Sequence, residues 1–288
     1  MTMTTACAAD RAPEPPLESV RARLRGSDAG IPVLPGIAAR VIELAGNVDT
    51  PVWRIAEIVS KDQILAARLL GLANSAYCAP LQAISTIHEA IVRMGTAAVR
   101  NLVMTVCFSS RLYDTQVYGA NGRRLIDHGI GTAYLARIVA DRAGASPDEA
   151  FLYGLLHDIG KLVILKAVHD YRRQTSAVLR PDDVSTLLAE EHAEVGGRVL
   201  ARWQLPLSIQ EPVLCHHDYG AATVHPRPAT VSYMANRLSH RYGFGVDADD
   251  AAPAEDPAFT SLGLDEAWLA DTDQRAPGLF EIARTMLA

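Results

Sequence analysis

Leu155-Leu156-His157-Asp158-Ile159-Gly160-Lys161 sets a His-Asp pair between apolar residues. A buried imidazole beside a buried carboxylate needs a partner, and the usual partners are a metal ion or a hydrogen-bond network. The chain holds nine histidines, and helical spacing brings five of them toward one interior. From His128 the run continues Gly131, Thr132, Leu135, Ile138 and Val139, so His128 shares a face with residues that must pack inward. His192 lies four after Leu188 and is followed by Val195 and Val199. His216 lies three after Val213 and seven after Ile209, and His217 is its neighbour, turned about 100° away on a helix. Facing helices that each supply an imidazole build metal sites in helical bundles. A single His on an apolar face is usually a hydrogen-bonded core residue, and His88, His169, His225 and His240 are assigned to that class or to the surface.

The elements that must position these side chains read as helix after helix. Ile37, Val41 and Leu44 fall at helical spacing, and Gly46-Asn47 stops that run. Thr50 is the expected N-cap and Pro51 the first helical residue of a helix carrying Ile55, Ile58 and Val59. Asp62 caps the next, with Leu65, Leu69 and Leu72 on one face. Thr86-Ile87-His88-Glu89 has capping-box spacing, Gly95 ends that short helix, and Thr96 begins another with Val99, Leu102, Val103 and Val106. A loop near Tyr113–Arg124 is expected to divide a first helical half from a second. Gly243–Pro257, rich in Asp, Ala, Gly and Pro, reads as a loose linker before a helical Leu262–Ala288. Residues 1–30 read as a flexible leader, since Met1–Pro16 has three prolines and no apolar core of a signal peptide. Strand signals are scarce, and the expected class is all-α.

Composition narrows the function classes. The 288 residues are 49% hydrophobic and 21% charged, ordinary for a globular protein. The net charge of −6 argues against a broad electrostatic grip on nucleic acid. Arg93, Arg100, Arg111, Arg123 and Arg124 are the sole hint of such binding, and no aromatic residues interleave them. Cys7, Cys78, Cys107 and Cys215 form no C-x-x-C pair and suit reduced thiols in a cytoplasm. The richest apolar stretch, Phe151–Val168, is broken by His157, Asp158, Lys161 and Lys166, so no membrane span is expected.

His128, the His157-Asp158-Ile159-Gly160-Lys161 string, His192, His216-His217 and a polar Asn236 together resemble the HD superfamily of metal-dependent phosphohydrolases. Ile31-Pro32-Val33-Leu34-Pro35, Leu72-Ala73-Asn74-Ser75-Ala76-Tyr77, Ala90-Ile91-Val92-Arg93-Met94-Gly95, Glu191-His192-Ala193-Glu194-Val195-Gly196-Gly197 and Trp203-Gln204-Leu205-Pro206 sharpen this. In that order they resemble the HDOD family, the HD-related output domain of bacterial signalling proteins. The match runs from about Ile31 to Tyr242. The resemblance implies a helical N-terminal half (31–112) packed on a degenerate HD-type half (125–242), with 243–288 an acidic loop and a C-terminal helical segment.

The resemblance also implies roles. His128, His157 and Asp158 would hold a divalent metal (Fe, Mn, Zn or Mg), with Asp158 bridging to a second held by His192, His216 and His217. Lys161 could pair with a substrate phosphate, or be a solvated lysine. Asp158 and Lys161 are the catalytic candidates. Two departures count against catalysis. Asn236 stands where the superfamily has an Asp, and a neutral amide oxygen should hold metal more weakly. No Gly-Tyr-Pro follows His216-His217-Asp218-Tyr219-Gly220, so cyclic di-GMP cleavage is not the first choice. The leading expectation is therefore a signal-transduction output protein that binds a partner or ligand without catalysis. Its partners would be signalling proteins such as a sensor kinase, a receiver or a cyclic-dinucleotide enzyme, or a small molecule. The competing expectation is a metal-dependent phosphohydrolase or phosphodiesterase acting on a nucleotide.

Overall fold

Apolar residues spaced three and four apart give each helix one face to bury, and the architecture follows from covering those faces. The computed structural model describes residues 16–26, 30–75, 82–111, 115–244 and 252–287. It contains α1 (Pro16–Gly26), α2 (Gly36–Ala45), α3 (Val52–Ser60), α4 (Gln63–Ala73), α5 (Ile87–Met94) and α6 (Thr96–Val106). A π-helical turn, Cys107–Arg111, extends α6. Then come α7 (Thr115–Ala143), α8 (Pro147–Leu156), α9 (Ile159–Thr175), α10 (Pro181–Arg202), α11 (Leu207–Leu214), α12 (Pro226–Arg241), α13 (Pro257–Ser261) and α14 (Glu266–Leu287). No strand occurs among the described residues. No single helix among them is long and apolar enough to cross a membrane.

Helices α2–α6 pack on one another through Val41, Ile55, Val59, Leu65, Leu69, Ile91 and Leu102, all buried. Their ends are set by the residues the sequence nominates. Asp62 accepts hydrogen bonds from the amides of Ile64 and Leu65. Thr86 and Glu89 form the reciprocal capping box, and Gly95 closes α5 at φ +84°, where a Cβ would be strained. Pro51, not Thr50, is the cap of α3. Asn74 donates to the carbonyls of Leu70 and Ile84 and accepts from the Ile84 amide, each at 2.8–2.9 Å. It thus fixes where the chain re-enters after α4; its motif partners Ala76 and Tyr77 lie outside the described residues. Trp203 Nε1 donates to the Pro32 carbonyl at 2.8 Å. That bond explains why two distant strings, Ile31–Pro35 and Trp203–Pro206, occur in one chain.

The two halves share one continuous core, in which α6 lies on α8. Arg100 Nη2 donates to the Asp148 carbonyl at 3.0 Å across that seam, and Arg123 pairs with Asp127 at 3.2 Å. Arg100 and Arg123, both considered for nucleic acid, therefore have structural partners.

Three expectations change. The leader is not loose throughout: Pro16–Gly26 forms α1, which buries Val20 and Leu24. Arg25 holds it by donating to Glu191 at 2.6 Å, and Arg21 Nε forms an ion pair with the same carboxylate at 3.1 Å. Residues 1–15 lie outside the described residues. The dividing loop is also helix from Thr115, broken only at Gly119 (φ 55°, ψ −148°), because Leu125 and Ile126 give that stretch an apolar face; Tyr113 and Asp114 are outside the described residues. In the supposed linker, Asp256 is buried, takes the hydroxyl of Tyr233 at 2.7 Å and the guanidinium of Arg237, and caps α13. Residues 245–251 are outside the described residues.

Glu191 is 3% exposed and precedes His192, so α1 is fastened to the helix that carries a site residue. Glu191→Gln should release α1. Without the Glu191 charge, amide exchange over Val20–Gly26 should rise severalfold. Unchanged exchange there would show that Val20 and Leu24 alone hold the helix.

Candidate metal centre

Helices α7, α8, α9, α10, α11 and α12 all deliver residues to one interior point. His128 comes from α7 and His192 from α10. His157 is the C-cap of α8 and Asp158 the N-cap of α9, so the His-Asp pair occupies a helix-to-helix corner. The corner can sit this deep because Gly160 lets α9 approach α10. A Cβ on Gly160 would lie 2.0 Å from the His192 carbonyl oxygen and 2.8 Å from the Gly196 amide. Gly154 does the same for α8 on α7, where a Cβ would meet Ala133 and Thr132 backbone at 2.9 Å.

His216 and His217 correct a geometric expectation. They follow the end of α11, so they are not 100° apart on a helix. Both Nε2 atoms reach His192 Nε2, at 3.1 and 3.0 Å, and the two rings lie 4.1 Å apart. Glu211 steadies the chain beyond them, accepting from the amides of Thr223, Val224 and His225. Nothing in its spacing announces that role.

The side chains form two groups around one carboxylate. His128 and His157 meet through Nε2 atoms 3.0 Å apart, and Asp158 Oδ2 lies 3.5 Å from each. Asp158 Oδ1 turns the other way, 3.4 Å from His192 Nε2 and 3.7 Å from His216 Nε2. Oδ1 has no hydrogen-bond partner. Lys161 Nζ donates to Oδ2 at 2.6 Å. The first group is fully buried; in the second, His217 is exposed.

The outer ring nitrogens say which way the protons lie. His157 Nδ1 is 2.8 Å from the Gly154 carbonyl and His216 Nδ1 is 2.6 Å from that of Val213. A carbonyl accepts only from N–H, so Nδ1 carries the proton and Nε2 of the neutral ring presents a lone pair. Ser239 Oγ donates to the Asn236 carbonyl at 2.7 Å and so accepts from His128 Nδ1 at 3.2 Å. His128 is locked the same way. His192 Nδ1 makes no full hydrogen bond, so its tautomer is open.

Electrostatics keep these rings neutral. Burial, aided by His157, lowers the pKa of His128 to about 3 against the pull of Asp158. Burial lowers His192 to about 4. His157, His216 and His217 are likewise pushed down, by burial first. For Asp158, burial acts upward, but His157, Lys161, His128 and His192 together hold it well below the usual carboxylate range. The interior thus gathers an ionised carboxylate and inward lone pairs, three of them fixed by hydrogen bonding.

That donor set fits divalent metal ions. Two nitrogens each about 2.1 Å from one ion stand about 3.0 Å apart at a right angle and about 3.4 Å apart at a tetrahedral one. The closest nitrogen–nitrogen and nitrogen–oxygen separations in each group fall in or near that range. Asn236, the remaining ligand candidate, is buried on α12 one turn before Ser239, and its Oδ1 is an acceptor with no partner. His240 was set aside on spacing, yet its ring lies 5.0 Å from that of His128. Its signal was available: His240 lies four after Asn236 on one helix face.

A family model described as HDOD domain matches residues 31–219. An uncharacterized protein of Treponema pallidum is 25% identical over 263 residues, covering 88% of this chain. The chain spans 50% of that relative's length. Among solved structures, an HDOD domain protein of unknown function from Geobacter sulfurreducens superposes with a TM-score of 0.74 at 22% identity, covering 94% of this chain and 97% of that one. A candidate metal-dependent phosphohydrolase from Shewanella amazonensis gives 0.73 at 19%, covering 93% and 97%. A candidate signal transduction protein from Marinobacter aquaeolei gives 0.72 at 21%, covering 95% and 65%. At these identities the structures establish the all-helical fold.

Proposed function

This chain belongs to the HDOD domain family, and from that premise we propose that it is a bacterial signal-transduction output protein built around a dinuclear divalent-metal centre. The observation that carries the centre is the division of Asp158, one oxygen toward each histidine group, with inward lone pairs 3.0 Å apart. Such lone pairs repel unless a cation lies between them. His128, His157 and Asp158 would hold one ion. Asp158, His192, His216 and His217 would hold the other, and Asn236 would offer a neutral oxygen.

We assign this centre to binding and not to turnover. His128, His157, Asp158, His192 and His216 are each below 5% exposed, which leaves a substrate little approach. Asn236 also stands where the superfamily resemblance expects a carboxylate. The output would then pass to a signalling partner through the helices that surround the centre. A second reading, phosphohydrolysis, is favoured by one feature: Lys161, a quarter exposed beside Asp158, and the exposed His217 form an edge that a phosphate could reach. When bound, the metals would supply an activated water and polarise a phosphoryl oxygen. Lys161 would orient the phosphate as a point charge.

Elemental analysis after loading with manganese, iron, zinc or magnesium tests the centre. One to two tightly held ions per chain are expected, and they should be lost in His157→Ala. No metal after loading would overturn it. Assays with phosphomonoester and phosphodiester nucleotides then separate the readings. Turnover that disappears in Asp158→Ala would replace the binding role with catalysis.

A further inference from the structure

A cavity of about 610 Å³ lies between α1, α9 and α10, away from the histidines. Its volume is that of a small-molecule site. Leu24, Ile31, Pro32, Val163, Ala167 and Val195 make its apolar walls. Arg23, Lys166, Asp170 and Arg198 also line it. Lys166 is matched by Asp170 at 2.6 Å. The two arginines are not matched by acids among the described residues. Arg23 donates to Gln174 at 2.7 Å and lies over the Tyr171 ring at 5.1 Å. Arg198 Nη2 donates to the Leu24 carbonyl, and its buried Nε has no acceptor.

The cavity therefore combines aliphatic walls with two guanidinium groups that have no carboxylate partner among the described residues. Guanidinium forks match carboxylates in shape and charge, and a buried donor without an acceptor is costly. Among the described residues no aromatic ring lines the walls, so none offers a nucleobase a stacking partner. We propose that this cavity binds an aliphatic carboxylate, with its alkyl chain against Val163, Ala167 and Val195 and its carboxylate between Arg23 and Arg198. Such a ligand would meet α9 and α10, the same two helices that carry Asp158 and His192. The proposal does not depend on metal binding.

Calorimetric titration of the full chain with octanoate tests it, with acetate, octylamine and AMP as comparisons. Octanoate should bind at least tenfold tighter than each. Arg23→Gln, which leaves the Arg198–Leu24 bond in place, should weaken it at least tenfold. Ala167→Leu, which fills the cavity, should do the same without removing a charge. His157→Ala should bind octanoate as the wild type does, even if it holds no metal. Octanoate binding no tighter than acetate would overturn the proposal, as would stronger binding of AMP. Undiminished binding by folded Arg23→Gln and Ala167→Leu would also overturn it.

Discussion

Lowering the pH of the metal-free protein from 7 to 5 is expected to remove at least roughly 4 kcal/mol of its stability, the share of His128 and His192 alone. His128 and His192 titrate near 3 and 4 when folded, against about 6.5 in an unfolded chain. The unfolded state therefore takes up protons first as pH falls. Stability is full above about pH 6.5 and is lost progressively below it, until the folded rings protonate near 4 and 3. At pH 5 each ring is about 1.5 units below its unfolded pKa, which amounts to about 2 kcal/mol per ring. Asp158 does not offset this, because its depressed pKa contributes stability that is lost only below the ordinary carboxylate value. Against a total of about 5–15 kcal/mol, the loss is large. Urea unfolding with a chelator present, at pH 7 and pH 5, measures it. Divalent metal should restore the midpoint at pH 5, since ions compete with protons for the same nitrogens. His192→Gln should make the profile shallower. A flat profile between pH 7 and pH 5 would mean that the rings are not held neutral in the interior.

Much of the fold is legible because its signals are local. Asp62, Thr86, Glu89 and Gly95 each act within one turn of their own helix, so spacing alone finds them. What was missed depends on distant parts of the chain. α1 is short, and its mean composition is polar; it is held by Glu191, more than 160 residues away. Asp256 is ordered by Tyr233 and Arg237 on another helix. An Asp- and Ala-rich stretch cannot advertise such partners.

The site divides the same way. Apolar neighbours at helical spacing pointed His128 and His192 inward, and both are buried beside Asp158. Helical geometry failed at His216 and His217 because α11 ends at Leu214, and adjacent residues converge only off a helix. The tautomer locks were invisible as well. Gly154 and Val213 act through backbone carbonyls, which carry no sequence identity, and Ser239 acts through its hydroxyl across 111 residues.

Gly160 carries the second large effect. Its Ile-Gly-Lys context reads as a helix start, but its function is contact. An alanine Cβ would fall 2.0 Å from the His192 carbonyl oxygen and 2.8 Å from the His192 carbonyl carbon. These are backbone atoms of α10 and cannot rotate aside, so the two helices must part by about 1 Å or more to reach ordinary contact. Overpacking of this kind costs about 1–3 kcal/mol, and more where the backbone must move. Parting α9 from α10 also draws His192 away from Asp158, now 3.4 Å apart. Gly160→Ala should therefore lower the unfolding midpoint and lose the ion held by the His192 group. Gly197→Ala, on the facing helix α10, is the matched control. The three atoms nearest its Cβ would be side-chain carbons of Leu214, at 2.3 to 3.2 Å, and Leu214 is 41% exposed, so a side chain and not a backbone must give way. Gly197→Ala should keep both its stability, within about 1 kcal/mol, and its metal content. Equal behaviour of the two variants, in urea unfolding and in elemental analysis, would mean that the close approach at Gly160 does not hold the site together.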